Sequence, residues 1–275
     1  MKLLAIDGNS IINRAFYGIK LLSTKSGLYT NGIYGFMNIL GKLCDMESPD
    51  GIAVAFDLRA PTFRHKEYAE YKAGRKPMPE ELRGQFPLLK RLLTLMGYTC
   101  IEKEGFEADD ILGTLAHTCE TTGNTCVIAT GDRDSFQLVS DKTHVLLSAT
   151  KAGRPEITEY TPETIMEKYG VTPPQIIDIK ALQGDASDNI PGVAGIGEKT
   201  AGELIRNYGS IDRIYEELDT LDIRDSLRMK LAAGRDMAFL SRRLGTICRT
   251  VPIETDIESY RIGDRNDLEL ARLLH

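Results

Sequence analysis

Three short apolar runs punctuate the first half of the chain: Leu3-Leu4-Ala5-Ile6, Ile52-Ala53-Val54-Ala55-Phe56 and Cys126-Val127-Ile128-Ala129. Continuous rather than alternating apolar character marks strands buried on both faces of a parallel sheet. Between the runs lie stretches with helical spacing. Gly35 to Cys44 carries Phe36, Ile39, Leu40 and Leu43. Leu82 to Met96 carries Leu88, Leu89, Leu92, Leu93 and Met96, with Pro79 near its start and Gly97 closing it. Pro87 inside that pattern should kink or split the helix. Ala108 to Cys119 carries Ile111, Leu112, Leu115 and Ala116. Strands alternating with helices predict an α/β fold, a mostly parallel sheet with helices on both faces.

From about Thr161 onward the strand signals fade. Helices are expected at Pro162–Tyr169, Pro173–Leu182, Lys199–Asn207, Ile211–Leu218 and Leu227–Leu244. The chain therefore divides into a sheet-bearing unit, 1–160, and a helical unit, 161–275. It ends inside a helical pattern at Leu273-Leu274-His275, as expected at a domain edge within a longer protein.

Composition narrows the function. With 275 residues, 42% of them hydrophobic, the chain can bury a substantial core. A net charge of −6 argues against a purely electrostatic, histone-like DNA binder, though not against a local basic surface. Five scattered cysteines without C-x-x-C spacing make a disulfide framework or zinc ribbon unexpected and favour a reducing compartment. No apolar stretch approaches the roughly 18 residues of a membrane span. Asp7 interrupts the N-terminal apolar run too early for a signal peptide. A soluble, intracellular protein is expected.

The acidic residues then stand out. Asp7 and Asp57 directly follow apolar runs, and Asp132 follows the third after Thr130-Gly131. Ligands of open α/β sheets bind at the carboxyl ends of the strands, so these acids should converge. Glu107, Asp109 and Asp110 open a helix; Asp134, Asp185 and Asp188 complete the set. Any one of them has an ordinary explanation as a helix-start or turn residue. Together they would repel and raise one another's pKa unless cations intervened. All-oxygen ligation suits Mg²⁺ or Mn²⁺ rather than zinc, and none of the four histidines has zinc-like spacing. Two such ions about 4 Å apart are the standard apparatus for phosphodiester hydrolysis.

Between Arg59 and Arg91 lie nine basic residues, including Arg64, Lys66, Lys72, Arg75 and Lys76, against four glutamates. Phe63, Tyr68 and Tyr71 are interleaved. Charges for phosphates and rings for bases are what a single-stranded nucleic acid requires. A second nucleic-acid signal is the turn Ile190-Pro191-Gly192-Val193-Ala194-Gly195-Ile196-Gly197 before Glu198-Lys199-Thr200-Ala201. Its spacing is neither a dinucleotide-binding fingerprint nor a Walker A loop. A glycine hairpin between helices can hold a phosphate on backbone N–H groups without reading bases.

Several motifs, in order, carry a resemblance: Asp7-Gly8-Asn9-Ser10, Ala55-Phe56-Asp57, Tyr71-Lys72-Ala73-Gly74-Arg75, Glu107-Ala108-Asp109-Asp110, Thr130-Gly131-Asp132-Arg133-Asp134, Gly184-Asp185-Ala186-Ser187-Asp188-Asn189 and the glycine turn. Over essentially its whole length the chain resembles the 5′ nuclease (5′-3′ exonuclease) domain of bacterial DNA polymerase I, in the flap endonuclease superfamily. The resemblance implies a PIN-like sheet, an arch over the site at about 59–91, and a helix–three-turn–helix (helix-hairpin-helix) unit whose hairpin is 190–197, followed by a C-terminal return segment. It implies one metal site from Asp7, Asp57, Glu107, Asp109 and Asp110, and a second from Asp132, Asp134, Asp185 and Asp188. Some paralogues lack second-site acids; here all are present.

By the same resemblance, Lys72 and Arg75 contact the scissile phosphate and Tyr71 stacks on the terminal base. Arg59, Arg64, Lys66, Lys76, Gly192, Gly195, Gly197, Lys199 and Thr200 bind DNA. Two Mg²⁺ (or Mn²⁺) ions are the implied cofactors, with K⁺ at the hairpin. The implied partners are DNA with a 5′ flap, nick or junction and RNA–DNA primer hybrids. A cytoplasmic bacterial monomer fused to a polymerase region, with no membrane partner, is expected. Two other readings stay open: a non-catalytic junction-binding module and a PIN-type ribonuclease.

Overall fold

A computed structural model of the chain describes residues 1–151 and 154–274. His275, one of the four histidines, lies outside the described residues. The chain opens with β1 (Lys2–Asp7), α1 (Gly8–Gly18), α2 (Asn31–Glu47) and β2 (Gly51–Ala55). There follow α3 (Phe63–Glu67), α4 (Glu80–Arg83), α5 (Gln85–Leu95), β3 (Thr99–Ile101), α6 (Ala108–Thr121) and β4 (Thr125–Thr130). The hairpin β5 (Thr143–Lys151) and β6 (Arg154–Tyr160) completes a six-stranded sheet of order β3-β2-β1-β4-β5-β6. All neighbours are parallel except β5 and β6.

Both faces of this sheet are covered, which is why its strands read as unbroken apolar runs. Leu3, Ala5, Cys126 and Ile128 point into one core with Ile111, Leu112 and Leu115 of α6. Leu4, Ile6, Val127 and Ala129 point into the other with Ile12, Phe36 and Leu89 of α1, α2 and α5. From β1 the chain crosses to β2 on one side, and β4 joins β1 on the other. The carboxyl ends of β1 and β4 thus flank the switch point of the sheet, where open α/β folds form their crevice.

The helical half comprises α7 (Pro162–Tyr169), α8 (Gln175–Gln183), α9 (Glu198–Tyr208), α10 (Ile211–Glu216), α11 (Asp225–Ala233), α12 (Arg235–Gly245) and α13 (Asp267–Leu274). Its own core gathers Leu182, Val193, Ile196, Leu204, Ile205, Ile214 and Leu231. The last residues return to the sheet unit: Gly263 N–H donates to Gly97 O at 2.9 Å, and Leu270 packs in the α5 core. Among the described residues no helix is long and apolar enough to cross a membrane.

Three expectations change. The 82–96 pattern does split, but at Gly84; Pro87 sits in the first turn of α5, where its missing N–H costs nothing. Because α5 buries Leu89 and Leu93 in the core, the arch candidate shrinks to about 59–84. The 227–244 pattern is two helices that meet at Gly234, where a side chain would stand 2.6 Å from Val193 of the glycine turn. Short, half-polar β3 and the β5–β6 hairpin carry no long apolar run, so periodicity gives no signal for them.

The turn depends on Gly192, whose φ is +62° and where a Cβ would lie 2.3 Å from the backbone nitrogen of Gly184. Gly192→Ala should lose about 2–4 kcal/mol. Gly41→Ala, at an open helical position of α2, should gain about 0.5–1 kcal/mol. Urea denaturation of the two variants checks both signs.

Candidate metal centre

Asp7, Asp57 and Asp132 are each pinned by a backbone or hydroxyl donor. Asp7, ending β1, caps α1: its Oδ1 accepts from Ser10 N–H at 2.8 Å and its Oδ2 from Thr130 Oγ1 at 2.9 Å. That same Thr130 hydroxyl oxygen accepts from Asp132 N–H at 3.0 Å, locking the ends of β1 and β4 together. Asp57 accepts from Ala108 N–H at 2.7 Å, at the amino end of α6, while its own N–H is held by Asn9 Oδ1 at 3.0 Å. Asp132 turns back to accept from Asp134 N–H at 2.9 Å. Helix amino ends and turn N–H groups favour anions, so the backbone is arranged to receive negative charge here.

It does not receive enough counter-charge. Burial pushes Asp7 up to about 7, with Asp57 and Asp132 adding to the rise against its two hydrogen bonds. Asp57 is also raised, by enclosure and by Glu107, against the Ala108 N–H and the Lys72 and Arg75 charges. Asp109 is raised well above the usual carboxylate range by burial, then by Asp7, Asp132, Asp134 and Asp57. Its Oδ1 is buried with no hydrogen-bond partner. An orphaned carboxylate oxygen among four other acids fits a cation, and oxygen-only donors fit a hard divalent one. Asp7, Asp57, Glu107, Asp109, Asp132 and Asp188 line one open cleft of about 830 Å³, with Lys72, Arg75 and Lys76 on its wall.

Among the described residues, Asp134, Asp185 and Asp188 form a trio whose ligand oxygens all lie within 4.8 Å of one another and could hold a metal ion. Asp185 sits in a closed turn: its backbone exchanges hydrogen bonds with Ile190 at 2.9 and 2.8 Å, and Ser187 donates to its Oδ1 from N–H and hydroxyl, each at 2.7 Å. Burial would raise it, but the Lys180 ammonium at 2.8 Å and the Ser187 donors bring it down to about 2. Asp134 is pushed by burial up to about 6, although Lys180 donates to it as well. Lys180 escaped the sequence reading; its signal is a lysine inside the apolar helix Ile176-Ile177-Asp178-Ile179-Lys180-Ala181-Leu182. Asp132 and Asp134 also line a second cleft of about 810 Å³ with Asp185, Lys199, Arg206 and Arg14. Arg14, likewise missed, lies on the wall common to both clefts and donates to Gly131 O.

The basic segment folds onto these acids. Lys72 Nζ is 2.7 Å from Glu107 and 3.8 Å from Asp188, and Arg75 is 2.5 Å from Asp188. Lys72 adopts φ +57°, a strained conformation for a lysine, and its N–H donates to Asp188 O at 2.9 Å.

The structure places other predicted residues elsewhere. Asp110 is fully buried and points away from the cage. Its oxygens accept from Arg64 at 2.7 and 2.8 Å, from Cys248 N–H at 2.8 Å and from Glu107 N–H at 3.0 Å, leaving nothing for a metal. Arg64 is accordingly no DNA contact: it is 2% exposed and also donates to Leu244 O and Thr246 O, each at 2.8 Å. In this structure Tyr71 does not present its ring to the cleft. Its ring is buried against His65, and its hydroxyl donates to Glu107 at 3.1 Å. Burial and the adjoining Glu107 and Asp188 raise that phenol, so it remains a donor. Asp132 borders both clefts, with Asp7 and Asp109 in one and Asp134 and Asp185 in the other.

Arg59, Lys66, Lys76 and Lys199 are exposed, and Thr200 is half-buried in the first turn of α9. Gly192 is inside the fold, its N–H given to Ser241 Oγ at 2.8 Å. Gly195, at φ +76°, accepts from Lys230 at 3.2 Å, and Gly197 opens α9 without a capping side chain.

Two outcomes follow. Folded Asp7 and Asp134 keep protons that the unfolded chain, near pH 4, has already released, so without divalent ions their contribution to stability falls between about pH 4 and 7. Ions bind the deprotonated cage, so Mn²⁺ should raise Tm more at pH 7.5 than at pH 5.5, as calorimetry would show. Separately, Arg64→Ala should lose about 3–5 kcal/mol by stranding Asp110. Arg75→Ala, half-exposed, should change stability by less than about 1 kcal/mol; urea titration distinguishes them.

Comparisons with known proteins agree with this architecture. Residues 2–170 match the family described as 5′-3′ exonuclease, N-terminal resolvase-like domain, and residues 171–267 match 5′-3′ exonuclease, C-terminal SAM fold. DNA polymerase I of Caldicellulosiruptor bescii is 47% identical over 274 residues, covering all of this chain and 32% of that protein. The chain thus spans about a third of the length of such relatives. Bacteriophage T5 5′-exonuclease with bound zinc shares the fold at TM-score 0.72 and 24% identity, covering 100% of this chain and 98% of that one. The T5 flap endonuclease in a pseudo-enzyme–product complex with DNA and metal ions superposes at TM-score 0.71 and 22% identity, with the same coverage.

Proposed function

The chain belongs to the 5′-3′ exonuclease family, and from that premise we propose that it is a structure-specific 5′-3′ exonuclease and 5′ flap endonuclease hydrolysing DNA phosphodiester bonds. Asp7, Asp57, Glu107, Asp109 and Asp132 would hold one divalent ion, and Asp134, Asp185 and Asp188 a second, some of them through water. Two Mg²⁺ or Mn²⁺ ions, when bound, activate the attacking water and stabilise the charge on the leaving 3′ oxygen.

The chain's own residues do the rest. Lys72 and Arg75 now neutralise Glu107 and Asp188; an entering phosphate offers them oxygens in exchange and places their charge where negative charge develops during cleavage. Tyr71 keeps Glu107 oriented through its hydroxyl. The segment from Arg59 to Gly84 covers the displaced strand, with Arg59, Lys66 and Lys76 on its exposed side. The uncapped amino end of α9, with Gly195, Gly197, Lys199 and Thr200, holds the duplex backbone, K⁺ assisting. Substrates are nicked or flapped DNA and RNA–DNA primer hybrids, and the product carries a 5′ phosphate. The unit acts as a monomer in the bacterial cytoplasm, joined to a polymerase region.

The observation that carries this reading is the orphaned Asp109 oxygen amid four carboxylates, walled by Lys72 and Arg75. Asp109→Asn should slow cleavage of a labelled 5′ flap in Mg²⁺ by ~100-fold or more, flap binding being retained. An unchanged rate would refute the assignment. Binding without cleavage by the parent chain would indicate a junction-binding module, and faster turnover of single-stranded RNA a ribonuclease.

A further inference from the structure

Lys180 is the most deeply placed cation of the cage. It stands on α8 with its side chain 8% exposed, and its ammonium contacts Asp134 and Asp185 together. Its stem lies in the seam between α8 and the end of α12, where a Cβ at Gly245 would be only 3.4 Å from Lys180 Cδ. Lys72 and Arg75 differ in kind. They come from the covering segment rather than from a helix of the core, and Arg75 is half-exposed. Lys180 is carried by a helix whose packing gives it nowhere else to go.

We infer that Lys180 is a resident counter-cation that keeps the Asp134–Asp185–Asp188 site weak for a divalent ion until a substrate phosphate enters. The inference rests on the proposed function, since it assigns Lys180 a role toward an ion of that site. A cation reaching the trio must share two of its three carboxylates with an ammonium already there, and like charges a few ångströms apart in a partly buried site repel strongly. Without DNA, the lone lysine therefore lowers affinity. An entering phosphate adds negative charge and oxygen ligands, so the same site then tolerates the ammonium and the ion together. Occupancy of this site becomes linked to substrate, and Lys180 acts as a positioning residue through the acids rather than on the reacting atoms.

The test measures Mn²⁺ binding to the DNA-free chain by titration calorimetry for the parent, Lys180→Met and Lys180→Arg. Lys180→Met, which keeps the stem and removes the charge, should bind one Mn²⁺ at least ~10-fold more tightly than the parent, and Lys180→Arg should stay near the parent. Thermal unfolding supplies a second readout: Lys180→Met should be less stable than the parent without ions and gain more from added Mn²⁺. Should the methionine variant not fold, Lys180→Gln is read the same way. Binding by the neutral variant that is equal to or weaker than the parent's overturns the inference, even while the parent cuts flaps. If no chain binds Mn²⁺ and the parent does not cut, the proposed function falls and this inference with it.

Discussion

Like-charge repulsion at the switch point of the sheet is the constraint that organises this molecule. Asp7, Asp57, Asp109 and Asp132 are brought together by the ends of β1, β2 and β4 and the start of α6, and nothing in the backbone lets them separate. The fold answers first with dipoles: the amino ends of α1 and α6 donate to Asp7 and Asp57. Dipoles of that kind contribute about 0.3–2 kcal/mol each, too little to offset several enclosed carboxylates. It answers next with whole charges, Lys72, Arg75 and Lys180. What remains uncompensated is concentrated on Asp109, and that residue of negative charge is the capacity for cations.

The counter-charges also tie distant parts of the chain to the site. Tyr71 packs with Ile190 and Leu244 in a small cluster joining the covering segment to the glycine turn and to α12. Ser241, one turn earlier on α12, receives the N–H of Gly192. At the end of α12, Leu244 O and Thr246 O hold Arg64, which holds Asp110 and reaches Glu107 at 3.4 Å. Hydrogen bonds at both ends of the α12 segment from Ser241 to Thr246 therefore link the glycine turn to an acid of the cage. Removing Arg64 would strip several buried acceptors at once, so its role is architectural although its charge suggested nucleic acid.

Much of this was legible in the sequence because the signals were local. Unbroken apolar runs name strands buried on both faces, an acid after such a run names a pocket, and Gly192 before Gly195 names a turn that other residues cannot make. The misreadings share one cause: direction. Asp109 and Asp110 are neighbours in sequence but about 100° apart around α6, so one faces the cage and the other the interior, and no spacing rule separates them. Arg64, Lys66 and Lys72 look alike in a basic stretch, yet only the fold decides that Arg64 is enclosed by α12 while Lys66 meets solvent. Lys180 was passed over for the opposite reason, since a single lysine in an apolar helix looks incidental until two aspartates converge on it.

The negative net charge of the chain now has a physical place. Of the nine candidate acids, Asp110 is cancelled internally by Arg64, and the other eight border the two clefts. Negative charge directed at a pocket attracts cations there and does little at the outer surface, where screening limits its reach to about 10 Å. Arg59 and Lys66 are exposed, and Lys76 and Lys199 are exposed on the walls of the two clefts, so positive charge borders the acids where a polyanion would approach. A chain of net charge −6 can therefore serve a polyanionic substrate, provided its excess acid is spent on ions that the substrate's own phosphates then share.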